Sequence, residues 1–406
     1  MVERRVAAAR ALSETEVPTT ALEEWRYSPI DKLDLSRYSP VSGLADPPMV
    51  QLHVEPAAIV RMVNGGIVMV EIDGEVAAGG VHVGSLFDHE DGPRFIGSVA
   101  DGAPDYFTRL NDSFAPDPVL VHVPSGVVID RPIVITNHSA GEGSAVFPRL
   151  VVRIEEGASA TILDRQTSDD NHDLLVCPVA EFDVADDAQL GYLNVQQLSE
   201  SAWQIASQLS RVGKQATITA ATAGLGGAYA RTRADTRLVG RGAHGNLQAL
   251  YFGDRDQSLD FRTFQDHVAP DTSSDLLYKG VIGGRSGSVY TGLIRVRPGA
   301  RGTNAYQTNR NLKLGPDAWA ESVPNLEIEN NDVKCSHASS VSPVDEDQRF
   351  YLESRGVTTA DAERLIVGGF LDEVLQALPV AAAVPSLKAA LAARIAEATD
   401  GGDGDV

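Results

Sequence analysis

Through the middle of the chain, apolar and polar positions alternate in short runs separated by tight-turn signals. Five-residue stretches recur: an apolar residue, two mostly polar or small residues, a turn-type residue or Gln, then alanine. They are Ile154–Ala158, Val184–Ala188, Val212–Ala216 and Val239–Ala243, followed by Val296–Ala300 and Leu314–Ala318. The first four alanines are 30, 28 and 27 positions apart; the next gap is 57 and the last is 18. The long gap reads as one diverged copy. Each stretch leaves a β-like run such as RLVVRI and enters another such as SATIL, which is strand, tight turn, strand. Gly and Asp suit the turn because they tolerate positive φ or bond their own backbone. The alanine leaves room where neighbouring coils stack closely. No helical period runs inside the unit. A unit of this length cannot bury its apolar face alone but can when stacked, which predicts a β-solenoid. A sandwich of ordinary hairpins is the competing reading.

The pattern changes at both ends. From Thr358 onward, Val367, Phe370, Leu371, Val374, Leu375 and Leu378 fall on one helical stripe. Thr358 with Asp361 fits a capping box carrying Asp in place of Glu, and Gly356 is a helix stop. Pro379 and Pro385 separate this helix from a second with Leu387, Leu391 and Ile395 in register. The tail TDGGDGDV is expected to be disordered. The first hundred or so residues mix an opening helix with short strands. The expected organisation is a mixed α/β region over 1–105, a β core over 106–345 and a helical domain over 346–406. The terminal stripe has two readings: packing against its own domain, or docking a partner.

Composition narrows the function classes. The formal net charge of -22 and scattered Lys and Arg exclude an electrostatic nucleic-acid binder and disfavour an anionic membrane surface. The N-terminus is too charged for a signal peptide and no run reaches membrane-span length, so a cytoplasmic protein is expected. Two cysteines, Cys177 and Cys335, cannot build a disulfide framework.

Most catalytic signatures are missing. No Walker A motif, nucleophile elbow, H-E-x-x-H or C-x-x-C occurs. His267 follows Asp266, but adjacent strand residues face opposite ways, so that pair makes a poor base and orienter. His53, His82, His89, His122, His138, His172 and His244 have no ligand-like sequence neighbours. Cys177, in LLVCPV, reads as a small buried hydrophobe. Cys335 and His337 differ. On a strand, i and i+2 share a face, so a thiol and an imidazole there offer two soft or borderline ligands. Asp332 and Glu329 could add oxygens. Two ligands alone make a weak, open site, so metal would bind transiently or with help from a second chain. An inert thiol and an exposed imidazole are the alternative.

The stretch YQTNRNLKLGPDAWAESVPNLEIENNDVKCSHASSVSPVDEDQRFYLESRG, the opening EEWRYSPIDKL and the central HVAPDTSSDLLYKGVI resemble the SufB/SufD family of SUF iron–sulfur cluster assembly scaffolds. Aligned on His337, Ile328 stands where the SufB branch carries a cysteine, so the resemblance is to the SufD branch. It implies a right-handed parallel β-helix between helical ends. It implies pairing with a SufB-like paralogue through the β-helices and docking of a SufC-like ABC ATPase through the C-terminal helices. The stripe Val367, Phe370, Leu371, Val374 and Leu375 is the candidate docking face. The resemblance further implies a non-catalytic subunit, with ATPase activity in the partner, and self-pairing as a homodimer when partners are missing. It implies transient iron or cluster at the shared interface, with His337 as candidate ligand and Cys335 beside it, and reduced flavin at the level of the complex. Two other functions compete: a purely structural solenoid with both residues inert, and a β-helix enzyme acting on polysaccharide. Few aromatics, no defined carboxylate pair and no signal peptide stand against the enzyme.

Overall fold

The computed structural model describes residues 2–41, 55–99 and 105–400. About eight coils stack along one axis. Each gives one strand to each of two long sheets, and successive coils pair in parallel. The first coil is Val119–Val123 with Ile133–Ser139, and the last is Trp319–Ile328 with Val333–Pro343. The core is thus a β-solenoid, as the repeat predicts, with the parallel coils that the resemblance implies.

The turns explain the repeat. The residue before each of the first four alanines has positive φ: Gly157 at 67°, Asp187 at 58°, Gln215 at 52° and Gly242 at 71°. The alanines that follow are sealed in the core. His244 pairs with Ser273, which puts Thr272 in the column of Ala243, behind Asp271 at φ 58°. The diverged copy is therefore Val268–Thr272. Two later copies need correcting. Asn304 pairs with Ser273, so Thr303 holds the column position and Ala300 sits in a lengthened turn before it. Trp319 pairs with Gly287, so Ala318 stacks on Ser286 and opens a strand of the other sheet. The short last gap is a change of turn row.

Inside the solenoid, inward positions of successive coils form columns. Aromatic rings make a ladder along it, with centroids 4.4 Å apart for Tyr251–Phe261, 5.7 Å for Phe261–Tyr278 and 5.5 Å for Tyr278–Tyr290. Tyr251 lies along the axis. Gly280, its partner in the next coil, has no Cβ to collide with the ring. The Tyr251 hydroxyl thereby reaches one coil further and donates to Asn311 Oδ1 at 2.7 Å.

The opening segment is latched to the outside. Trp25 is buried against Phe107, and the Arg231 guanidinium lies 3.9 Å from its ring centroid. Arg231 also donates to Asp260 at 2.6 Å and to the Glu24 carbonyl at 3.0 Å. The first helix, Val2–Ser13, packs on the helix Tyr106–Phe114.

Three helices follow the last strand: Glu346–Glu353, Thr359–Ala377 and Val384–Asp400. Thr358 caps the second, its hydroxyl accepting from the Asp361 N–H at 3.2 Å and donating to the Asp361 carboxylate at 2.8 Å. Gly356 has φ of 84° just before it. The third helix runs through Asp400, two residues into the tail expected to be unstructured; the remainder of the tail, like His53, lies outside the described residues.

The stripe on the second helix faces the chain's own sheet. Val367, Leu371, Val374 and Leu375 are buried among Leu193, Leu250, Phe252 and Val281, and Phe370 is half-buried beside them. Lys279 pins this seam, donating to the Phe370 carbonyl at 2.9 Å and lying 2.5 Å from Glu373. This corrects the docking expectation for Val367, Leu371, Val374 and Leu375, whereas Phe370 keeps one side open. An amphipathic stripe shows that a face is covered without showing what covers it, and here the cover is the solenoid. Among the described residues, no helix is long and apolar enough to cross a membrane.

Candidate functional site

The last coil carries Cys335 and His337. Among the described residues its strand Val333–Pro343 pairs only with Thr303–Lys313, placing Cys335 over Ala305 and His337 over Gln307. Ala305 and Gln307 are buried inward residues, whereas Tyr306 between them is exposed. Cys335 and His337 therefore continue inward columns and share a face, as the i, i+2 spacing predicts. Among the described residues no further coil covers them, so His337 is exposed and Cys335 is half-buried at the mouth of the lumen. Cys335 packs with Ile294, Val296, Ala305 and Leu326. Burial pushes its thiol above the ordinary value, against a backbone hydrogen bond at Ala305 that pulls the other way. At neutral pH it is a thiol, and ligating a metal costs its proton.

The oxygen ligands considered for this pair do not join it. Glu329 lies 3.3 Å from Arg295, and Asn330 caps the turn by accepting from the Asp332 N–H at 2.9 Å. Among the described residues, no three His, Cys, Asp or Glu side chains converge as a metal site. The pair offers two ligands to whatever covers the mouth.

Below the mouth the lumen is polar. Gln307 donates from Nε2 to Tyr290 Oη at 2.6 Å, and Tyr290 lies 3.0 Å from Thr263 Oγ1. Asn311 donates to Asn309 at 3.0 Å, and Asn309 to Tyr251 Oη at 3.2 Å. Gly292 makes room where Gln307 and Tyr290 meet. His267 is also inward, with ring nitrogens 2.9 Å from Thr272 Oγ1 and 2.9 Å from Ser274 Oγ. Burial lowers its pKa to about 4, so it stays neutral. Asp266 faces outward to Arg297, which confirms that the two adjacent residues cannot act as a pair.

Two histidine groups escape sequence reading because strand pairing assembles them. At the far end, His89 Nε2 lies 3.1 Å from His122 Nδ1, with His82 packed edge-on to His89. Burial lowers the His82 and His122 pKa values. Elsewhere, Asp169 lies 3.0 Å from His138 and 3.3 Å from His172. Cys177 is sealed, with its thiol pushed well up by burial.

A stacked coil ending in an open polar mouth defines a solenoid scaffold. The particular family follows from comparison with known proteins. The SUF system FeS cluster assembly SufBD core domain matches residues 135–370, and the SufBD protein N-terminal region matches residues 51–135. An iron–sulfur cluster assembly SufBD family protein of Mycobacterium tuberculosis is 36% identical over 288 residues, covering 68% of this chain and 70% of its own length. The iron–sulfur cluster assembly protein SufD of Escherichia coli is 28% identical over 403 residues, covering 96% of this chain and 91% of its own. The chloroplastic protein ABCI7 of Arabidopsis thaliana is 30% identical over 297 residues, 70% of this chain and 62% of its own. The chain belongs to the SufBD family of iron–sulfur cluster assembly proteins and is SufD-like.

Proposed function

We propose that this chain is the non-catalytic, SufD-type half of a paired scaffold on which iron–sulfur clusters are built. The observation that carries the reading is the uncapped last coil. Among the described residues, both of its strands end their sheets with one edge unpaired, and Trp319, Ile328 and Val341 are exposed on it. An unpaired strand edge is a template for another chain. A SufB-type chain seated there would close the mouth over His337 and Cys335 and bring the remaining ligands for iron or a nascent cluster. His337 leads the site, because Cys335 must first lose a proton. Without the paralogue, the same edge suits a second copy of this chain. Reduced flavin, an electron source for such chemistry, belongs in this reading to the assembled complex.

The C-terminal helices retain a free side. Phe350, Tyr351 and Leu365 are exposed there, beside a groove of about 750 Å³ lined by Arg310, Leu312, Ile366 and Phe370. This side replaces the buried stripe as the docking face for a SufC-type ATPase. Co-expression with SufB-type and SufC-type partners tests the whole reading. A three-protein complex should purify, and Phe350→Asp should release the ATPase while leaving the paralogue bound. Within that complex, His337→Ala should lower anaerobic cluster yield at least about tenfold, the scale of ~1.4 kcal/mol. Unchanged cluster content in that variant would end the ligand role.

A further inference from the structure

Among the described residues, two inward-facing side-chain atoms in the last two coils have no hydrogen-bond partner. One is Gln307 Oε1, on the rung directly beneath His337. The other is Ser322 Oγ, on the opposite strand of His337's own coil. The register relates the two. Ser322 stacks on Tyr290 as His337 stacks on Gln307. In the coil below, Tyr290 and Gln307 already meet across the lumen at 2.6 Å.

That bond fixes the amide. The Gln307 Nε2 donates to Tyr290 Oη, and the Tyr290 and Thr263 hydroxyls share a hydrogen bond at 3.0 Å in which either can donate. With Nε2 on Tyr290, the Gln307 carbonyl oxygen is the acceptor left unfilled. A sealed carbonyl without a donor is costly. Neighbouring parallel rungs lie about 4.8 Å apart, so an imidazole one rung up is within reach of it. An imidazole that ligates metal through one nitrogen donates its other N–H to such an acceptor, which fixes both tautomer and ring orientation.

We infer that Gln307 and Ser322 are positioning residues for His337: the Gln307 carbonyl, aided by the Ser322 hydroxyl on the opposite strand of the coil, takes the inward imidazole N–H and turns the other nitrogen's lone pair out of the mouth. The inference rests on reading His337 as a residue of the iron site, and it assigns the inner half of that site to this chain alone. Cys335 has no side-chain acceptor beneath it, since it stacks on Ala305.

The test is the tautomer ratio of His337 in the full-length chain, read from imidazole ¹⁵N shifts at about pH 8, where an ordinary imidazole is neutral. The signal is assigned by its loss in His337→Ala. In Gln307→Met, the ratio should shift at least about fivefold, as expected for an ordinary net hydrogen bond. Gln307→Glu keeps an acceptor and should restore the wild-type ratio. Ser322→Ala should move the ratio in the same direction by less, and it carries the test if Gln307→Met does not fold. An unchanged ratio in folded Gln307→Met and Ser322→Ala overturns the inference, as does a Glu variant that fails to restore it. The failures are separable: an unchanged cluster yield in His337→Ala removes the ligand reading, whereas an unchanged ratio removes only the positioning.

Discussion

At the first coil, Val119–Val123 is covered by the antiparallel strand His82–Ser85, and Ile133–Ser139 by Ala58–Val63 and its hairpin partner Gly66–Ile72. At the last coil, no strand among the described residues pairs beyond Trp319–Ile328 and Val333–Pro343. The coil itself is the same kind of unit at both places. At the closed end its inward residues, such as Ile133 and Val121, are fully buried. At the open end the inward residues His337 and Ser339 are exposed. A solenoid needs a cover at each end to hide its edges. Among the described residues the cover lies at one end only, so the open edge is where a further strand would add stability.

The contrast can be broken most strongly from the closed end. Ile133→Ala should destabilise the free chain by about 2–5 kcal/mol in urea unfolding, the usual cost of emptying a sealed core position. Val341→Ala, at the open end, should stay within about 0.5 kcal/mol. Equal losses would mean that the ends are not different in the free chain. A smaller effect comes from the interior between them. The His267 pKa of about 4 lies below its ordinary 6.5, so the unfolded chain binds the extra proton first. Stability is complete above pH 6.5 and falls as pH drops from 6.5 toward 4, by up to about 3 kcal/mol from this group. His267→Gln should flatten that part of the curve, and a curve unchanged in shape would place the sensitivity elsewhere. His82 and His122 at the closed end work in the same direction. Smallest for the free chain is a charge on the open edge. Val341→Lys should barely change unfolding, yet weaken pairing with a SufB-type chain about tenfold or more by titration, ~1.4 kcal/mol.

Much of this fold was legible. Positive φ at Gly157, Asp187, Gln215 and Gly242 explains the turn residues of the repeat, and close stacking explains the alanines. Ala318 misled because the two rows of turns obey the same steric rules, so the string cannot say which row it belongs to. The shared face of Cys335 and His337 followed from strand geometry alone. Residues brought together by stacking did not. His89 and His122 meet because His82–Ser85 pairs with Val119–Val123, a register no local pattern encodes. Gln307 and Ser322 were silent for the same reason. Phe350 and Tyr351, the exposed apolar pair, sat in plain view within FYLESRG, but periodicity favoured the more regular stripe that the solenoid covers.

One consequence follows from the way the C-terminal helices lie along the outside of the stack. They do not hang from the last strand. Lys279 holds the second helix, and Pro379 fits against Gly191, several coils earlier, where a Cβ would come within 2.9 Å of it. Arg394 on the third helix donates to Gln257 at 3.4 Å. The helices act as a splint. A pull applied to them loads many rungs in shear, where hydrogen bonds share the force, instead of peeling the last strand away one bond at a time. A motor gripping this side would tilt the whole rod, and the open mouth at its end would swing with it.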